Sequence, residues 1–335
     1  MKSQTRNSSY KKLFSLLKES EDFFEVQILQ RICDDYNRYH EHDFLVLEEL
    51  LDSNSDVKSC PRCGSIDIIG HGKDKNGTQR FKCKDCGKTF NIAKNTLFFS
   101  TKINMKAWMA FLECVLSGTS LSAACITAKI APSTGTKWMH KIFEALKYYQ
   151  DDILLEGDIY IDETYVHEDK SKIYYVENAN NVKKLPRGIS RNQICILLAT
   201  DDTRSFAFVT VHGRPQRMVS HKVCKKHIKK QSHLIGDQDK SLTYTSKQLK
   251  LTRTQYKSNT EEAYKNLVPI DQLCNRLKFF INKHRGFKKE LLQDYINLFI
   301  FIENEKRKDD DLYKATMKLM KLMFTYKKVS SETTE

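Results

Sequence analysis

Two groups of residues in this sequence are spaced for chemistry. The first is Cys60-Pro-Arg-Cys63 and Cys83-Lys-Asp-Cys86, two CxxC pairs separated by 19 residues. A two-residue gap lets both thiolates of a pair reach one ion, and two pairs complete a tetrahedral site. Gly64 and Gly87 follow the pairs and allow the tight turn that such a site needs. With no open position, the implied ion is a structural Zn2+, which would supply folding energy that so short a segment cannot draw from a core.

The second group is acidic and scattered. Asp162 lies in a strand-like stretch ending Tyr160-Ile-Asp162-Glu-Thr, and a short strand at His233-Leu-Ile-Gly runs into Asp237-Gln-Asp239. A helix starting near Pro269 carries Asp271, Asn275 and Lys278 at i, i+4 and i+7, hence on one face, with Leu273, Leu277 and Phe280 opposite. Acids on two strands and a nearby helix suit two divalent cations at a phosphoryl group. Each acid also has an ordinary use: Asp271 as a helix-start acid, Asp237 as a turn residue, Asp158 and Glu163 facing water.

Elements that could position these groups follow from periodicity. Leu13, Leu17, Phe24, Ile28 and Ile32 share a helical face in a lead-in over residues 1–56. Ile66–Ile69 and Gln79–Cys83 read as hairpin strands between the cysteine pairs. Three helices are expected at Met105–Leu116, Ser120–Ala128 and Ser133–Lys147, with Ser120 and Ser133 as N-caps. A short second helix and a longer third one form a helix-turn-helix pattern, which would place Thr134, Thr136, Lys137 and His140 toward a major groove. A plain three-helix packing unit has the same signature. Trp108, Phe111 and Trp138 read as core. From residue 153, Leu154–Val166, Gln193–Thr200 and Ser205–Val211 are strand-like. A basic helix (216–230), the strand at 233–235 and helices from 261 to 328 follow.

The chain has 335 residues, 40 % of them hydrophobic, and 56 Lys and Arg against 42 Asp and Glu give a net charge of +14. Such a surface suits a polyanion. Arg214, Lys222, Lys225, Lys226 and Lys229 lie in a stretch without acids and read as a DNA backbone contact. No apolar run reaches the roughly 18 residues of a membrane span, and no signal-type apolar core follows Met1. The expectation is a cytoplasmic chain whose ten cysteines stay reduced.

In order, the motifs CPxCG, RxxCKxCGKTF, IDETYV, DxxKS, IxxLxxRLKxF and RGxxxxxLxxYxN resemble the zinc-ribbon DDE transposases of bacterial insertion sequences, the ISXO-like branch, over about residues 57–303. The resemblance implies an α/β fold: a ribonuclease H-like catalytic domain (153–303), preceded by a zinc ribbon (57–96) and a helix-turn-helix (104–149), with a C-terminal helix and tail (304–335). It places the catalytic acids at Asp162, Asp237 and Asp271 and the family lysine at Lys278. The third position is usually Asn or Glu in this branch; here it is Asp. Cutting and joining of DNA with Mg2+ or Mn2+, a homo-oligomer on double-stranded DNA and a nucleoid location are implied. A catalytically retired DNA-binding regulator is the alternative.

Overall fold

The computed structural model describes residues 59–73, 79–91, 94, 96–98, 105–168, 172–177, 183–284, 287–308 and 311–325. The expected helical lead-in over 1–56 and the tail beyond 325 lie outside them. The chain divides into two units, Met1–Ile92 and Ala93–Glu335.

In the first unit β1 (Ile68–Lys73), β2 (Gln79–Cys83) and β3 (Thr89–Asn91) form an antiparallel sheet. Only the first two strands are legible from the sequence. Cys60, Cys83 and Phe90 are its buried centre, with Ile68, Phe81 and Cys86 packed around them. So small a core stabilises little by burial alone.

The second unit opens with α1 (Met105–Leu116), α2 (Leu121–Thr127) and α3 (Pro132–Leu146). Ser120 caps α2 by accepting from Ala123 N. The cap of α3 is Ala131, not Ser133, because Pro132 occupies the first helical position, where its missing N–H costs nothing. Trp108 of α1 stacks on Trp138 of α3 with ring centroids 3.6 Å apart. Both rings are buried, as is Phe111.

A five-stranded mixed sheet follows: β4 (Asp158–His167), β7 (Gln193–Thr200), β8 (Ser205–His212), β9 (His233–Asp237) and β10 (Thr252–Tyr256), in the order β10-β9-β4-β7-β8. β4, β7 and β8 pair antiparallel, while β9 and β10 run parallel to β4. That order and those directions are the ribonuclease H-like arrangement. A two-stranded β5–β6 insertion (Val176–Glu177 and Lys183–Lys184) lies between β4 and β7. The helices are α4 (Arg217–His227), α5 (Lys240–Leu249), α6 (Glu261–Asn266), α7 (Val268–Lys283), α8 (Leu292–Lys308) and α9 (Leu312–Thr325).

α8 is buried along nearly its whole length, Leu292 and Tyr295–Glu305 included. It packs on β8, α3 and α9. Polar stitches hold this layer: buried Gln150 donates to the Ala207 carbonyl at 3.0 Å and to Asn297 Oδ1 at 2.6 Å, and accepts from Ala207 N at 2.8 Å. Each such bond contributes only about 1 kcal/mol net but would cost more if left unmade. Ile159, Ile161, Ile196, Leu197 and Phe206 fill the sheet core with no more than 1 % exposure.

Candidate active site

β4 and β9 explain why two of the acids meet. Their parallel pairing runs from Asp158↔His233 to Ile161↔Gly236 and stops there. One step beyond the last pair stand Asp162 and Asp237. Asp162 lies in mid-strand rather than at a strand end, because β7 pairs with β4 as far as His167. The close approach depends on Gly236: a Cβ there would fall 2.6 Å from the Ile161 carbonyl oxygen.

The third acid comes from α7, which packs on β4 and β7. Ile270, Leu273, Cys274, Leu277, Phe280 and Ile281 face inward, whereas Asp271 is half-buried and Asn275 and Lys278 are exposed. Burial, then the charges of Asp237, Asp271 and Glu163, push the Asp162 carboxyl up to about 7. Burial and Asp239 push Asp237 up, against the Asp239 N–H and the Arg253 guanidinium. Burial raises Asp271 too, with Lys278 opposing. Cys274, buried among Asp162, Asp271 and Lys278, is raised to about 12 by burial and stays a neutral thiol. A divalent cation would relieve the repulsion that Asp237 and Asp271 exert on Asp162.

Alternation along β4 turns Glu163 to the other face of the sheet. There it accepts from Ser241 Oγ at 3.0 Å, Tyr165 OH at 3.1 Å and Ser220 Oγ at 3.3 Å, tying β4 to α4 and α5. Asp158 pairs with His233 Nδ1 at 3.0 Å.

The loop bearing Asp237 is braced by Arg253, a residue that carries no signal in the sequence. Its guanidinium donates to the Asp237 carbonyl, to the Asp239 carbonyl at 3.4 Å and to Thr243 Oγ1. Asp239 N donates to Asp237 Oδ1 at 3.0 Å, and Asp239 Oδ1 caps α5 by accepting from Ser241 N at 2.6 Å. An arginine inside a short strand shows no periodicity, so only the β9–β10 pairing reveals its target. A cleft of 410 Å³ opens over this region, with Asp162, Asp237, Asp239, Arg214 and Lys257 in its lining.

In the ribbon, Cys60 and Cys86 Sγ are 3.7 Å apart and Cys63 and Cys83 Sγ are 3.6 Å apart. All four sulfurs lie within 4.8 Å of one another. Tetrahedral sulfurs at a Zn–S length of about 2.3 Å sit about 3.8 Å apart, so the set fits zinc. Burial disfavours the Cys60 thiolate, but N–H donors from Arg62 and Cys63 and the neighbouring thiols outweigh it and bring Cys60 down to about 6. The Cys86 N–H lowers Cys83 in the same way. Gly64 and Gly87 adopt φ of +76° and +66°, as the turn after each pair requires. Among the described residues the cysteines are the one group whose ligand atoms converge this closely. The carboxylates of Asp162, Asp237 and Asp271 do not converge within that distance.

The cationic candidates divide. Lys137 and His140 are exposed on α3, and Arg214, Lys222 and Lys225 are exposed on and before α4. Lys226 pairs with Asp151 at 2.9 Å and Lys229 with Glu156. The stretch lacks acids in sequence, but the 151–156 loop brings them from before β4.

Known proteins match in two segments. Residues 57–87 match the family described as InsA N-terminal domain, a zinc ribbon, and residues 154–304 match the ISXO2-like transposase domain. An uncharacterized protein in transposable element ISH50 of Halobacterium salinarum is 29 % identical over 108 residues, covering 32 % of this chain and 36 % of that protein. Insertion element iso-IS1N protein InsA of Shigella dysenteriae is 42 % identical over 33 residues, covering 10 % and 37 %. The chain thus spans little more than a third of the length of these relatives. The Mos1 strand transfer complex superposes with a TM-score of 0.30 at 8 % identity, over 66 % of this chain and 78 % of that one. The pre-cleavage Mos1 transpososome gives 0.26 at 8 % identity, over 64 % and 78 %. Both likenesses are too weak to bear on function. Residues 154–304 are similar to ISXO2-like transposase domains, and residues 57–87 to InsA-type zinc ribbons.

Proposed function

We propose that this chain is a DDE transposase that cuts the ends of a mobile element and joins them to target DNA. In this reading Asp162, Asp237 and Asp271 hold two divalent cations, Mg2+ or Mn2+. The observation that carries it is the meeting of Asp162 and Asp237 at the end of the β4–β9 pairing, with Asp271 near enough to raise Asp162 further. The transposase-domain match over 154–304 supports it. When bound, the cations activate the attacking oxygen and stabilise the leaving one.

The protein's own groups do the positioning. β4 and β9 fix two acids side by side, and Arg253 holds the backbone that carries Asp237. Lys278, whose charge is felt by Asp271, would offer a positive partner to a phosphate oxygen.

Domain roles follow the same reading. The ribbon (57–96) holds Zn2+ on Cys60, Cys63, Cys83 and Cys86 and contributes to docking. The helix-turn-helix (104–149) contacts double-stranded DNA through Lys137 and His140, and Arg214, Lys222 and Lys225 contact its backbone. Bringing two element ends together calls for a homo-oligomer.

The test is strand cleavage of a duplex carrying the chain's own element ends, with Mg2+ or Mn2+. Cleavage present in the wild type and lost in Asp162→Ala supports the enzyme. Binding without cleavage in either protein would establish a retired regulator instead.

A further inference from the structure

We propose that a groove beside the cleft binds the phosphodiester backbone of the substrate strand flanking the scissile phosphate. The proposal rests on the transposase reading and extends it to a groove that shares Arg214 with the cleft and adds Arg217 and Lys240. The groove, 690 Å³ in volume, lies between the β8–α4 turn and the β9–α5 turn. Arg214 and Arg217 line one wall and Lys240 the other.

Three observations support a nucleic-acid strand as the occupant. Arg214, Gln238 and Asp239 line both the groove and the cleft over Asp162 and Asp237, so the two are continuous. A strand with a phosphate at the carboxylates therefore has a way onward.

The charges are also available. Arg214, Arg217 and Lys240 are exposed, and none has an ion-pair partner among the described residues. Farther along the same helix and just past its end, Lys226 and Lys229 are neutralised by Asp151 and Glu156. The cations nearest the cleft are thus the ones left for a ligand.

The single carboxylate in the groove lining, Asp239, is already engaged. It caps α5 through Ser241 N at 2.6 Å, and its charge is felt by Arg253 behind it. Three unneutralised cations around one engaged acid favour a polyanion. An acidic peptide would satisfy the cations, but it offers the neighbouring carboxylates no phosphate.

The experiment uses the full chain with Ca2+ in place of the catalytic metal, so that binding is read without turnover. The probes are two duplexes of the element's terminal sequence, one ending at the cleavage position and one continuing into flanking DNA. The variant is Arg217→Gln/Lys240→Gln, with thermal melting as the check on folding. In the wild type the flank should tighten binding. In the variant that gain should vanish, and the salt slope for the flanked duplex should fall by about 2, at about 0.9 for each phosphate that is no longer neutralised. Binding of the flankless duplex should not change. An undiminished flank effect in a folded variant overturns the proposal, as does equal weakening for both duplexes. A wild type that shows the groove-dependent flank effect but cuts nothing with Mg2+ or Mn2+ would reject the transposase reading while leaving the groove in place.

Discussion

Replacing Gly236 with Ala isolates the step on which the site depends. The new Cβ would sit 2.6 Å from the Ile161 carbonyl oxygen, with Ile161 Cγ2 at 3.5 Å and Leu242 Cδ1 at 3.6 Å behind it. The blocking atom is backbone, so no side chain can swing aside. Reaching an ordinary separation of about 3.4 Å requires β4 and β9 to part by about 0.8 Å, and overpacking on this scale costs about 1–3 kcal/mol. The displacement falls between the residues that precede Asp162 and Asp237, so it is delivered to the two acids. A misplacement near 1 Å at reacting groups costs about 100-fold in rate. Gly157→Ala is the matched control: it meets nothing within 4 Å but sits at φ +76°, so it adds about 1–2 kcal/mol of strain without parting the strands. Urea unfolding and metal-dependent cleavage of both variants form the assay. Gly236→Ala should lose cleavage out of proportion to stability, and Gly157→Ala should lose stability alone. Equal cleavage by the two variants would refute a site set by strand spacing.

Three further outcomes are expected. Arg253→Ala should lower cleavage about tenfold or more by loosening the Asp237 carbonyl anchor, and Arg253→Lys should restore only part of it; full activity in the alanine variant would show that the brace is idle. Removing zinc with a chelator, or Cys83→Ser, should unfold the ribbon and leave the far-UV signal of the helical unit intact; hydrogen exchange over 59–91 reads this directly, and unchanged protection would contradict a metal-dependent fold. Buried His227, whose Nδ1 sits 2.8 Å from the Ile153 carbonyl, has its pKa lowered by burial. At this group the unfolded chain then binds more protons than the folded one below the ordinary histidine range, so the contribution of His227 to stability falls as pH drops from 7 toward 5. That is opposite in sign to the contribution of Asp162, whose raised carboxyl takes up its proton in the folded chain first. His227→Phe should remove that fall in denaturant titrations, though His284, lowered likewise, leaves its own.

The cysteine pairs were legible because zinc spacing is a local pattern. The spans of α1–α3 were legible because their apolar periodicity is strong. Asp271 and Lys278 could be placed on one face for the same reason. Other features depend on chain segments that meet only in the fold. Residues 240–256 form α5 and β10, but the polar run Lys-Ser-Leu-Thr-Tyr-Thr-Ser-Lys-Gln-Leu and a half-exposed edge strand carry no clear period. Gly236 reads as an ordinary small residue until β4 lies against it. Arg253 has no visible purpose until β10 pairs with β9. The pairing of Lys226 and Lys229 with acids more than seventy residues earlier is invisible to any local window. Ser133 does not cap α3 for a purely local reason: Pro132 takes the first helical position and moves the cap to Ala131.

The central claim is that Asp162, Asp237 and Asp271 together hold divalent cations. Mn2+ binding to the zinc-loaded protein, followed by electron paramagnetic resonance, tests it without reference to DNA. The wild type should take up Mn2+ beyond the zinc site, and Asp162→Asn, Asp237→Asn and Asp271→Asn should each weaken that uptake, Asp162→Asn the most. Equal Mn2+ uptake by the wild type and a folded Asp162→Asn variant would contradict the account.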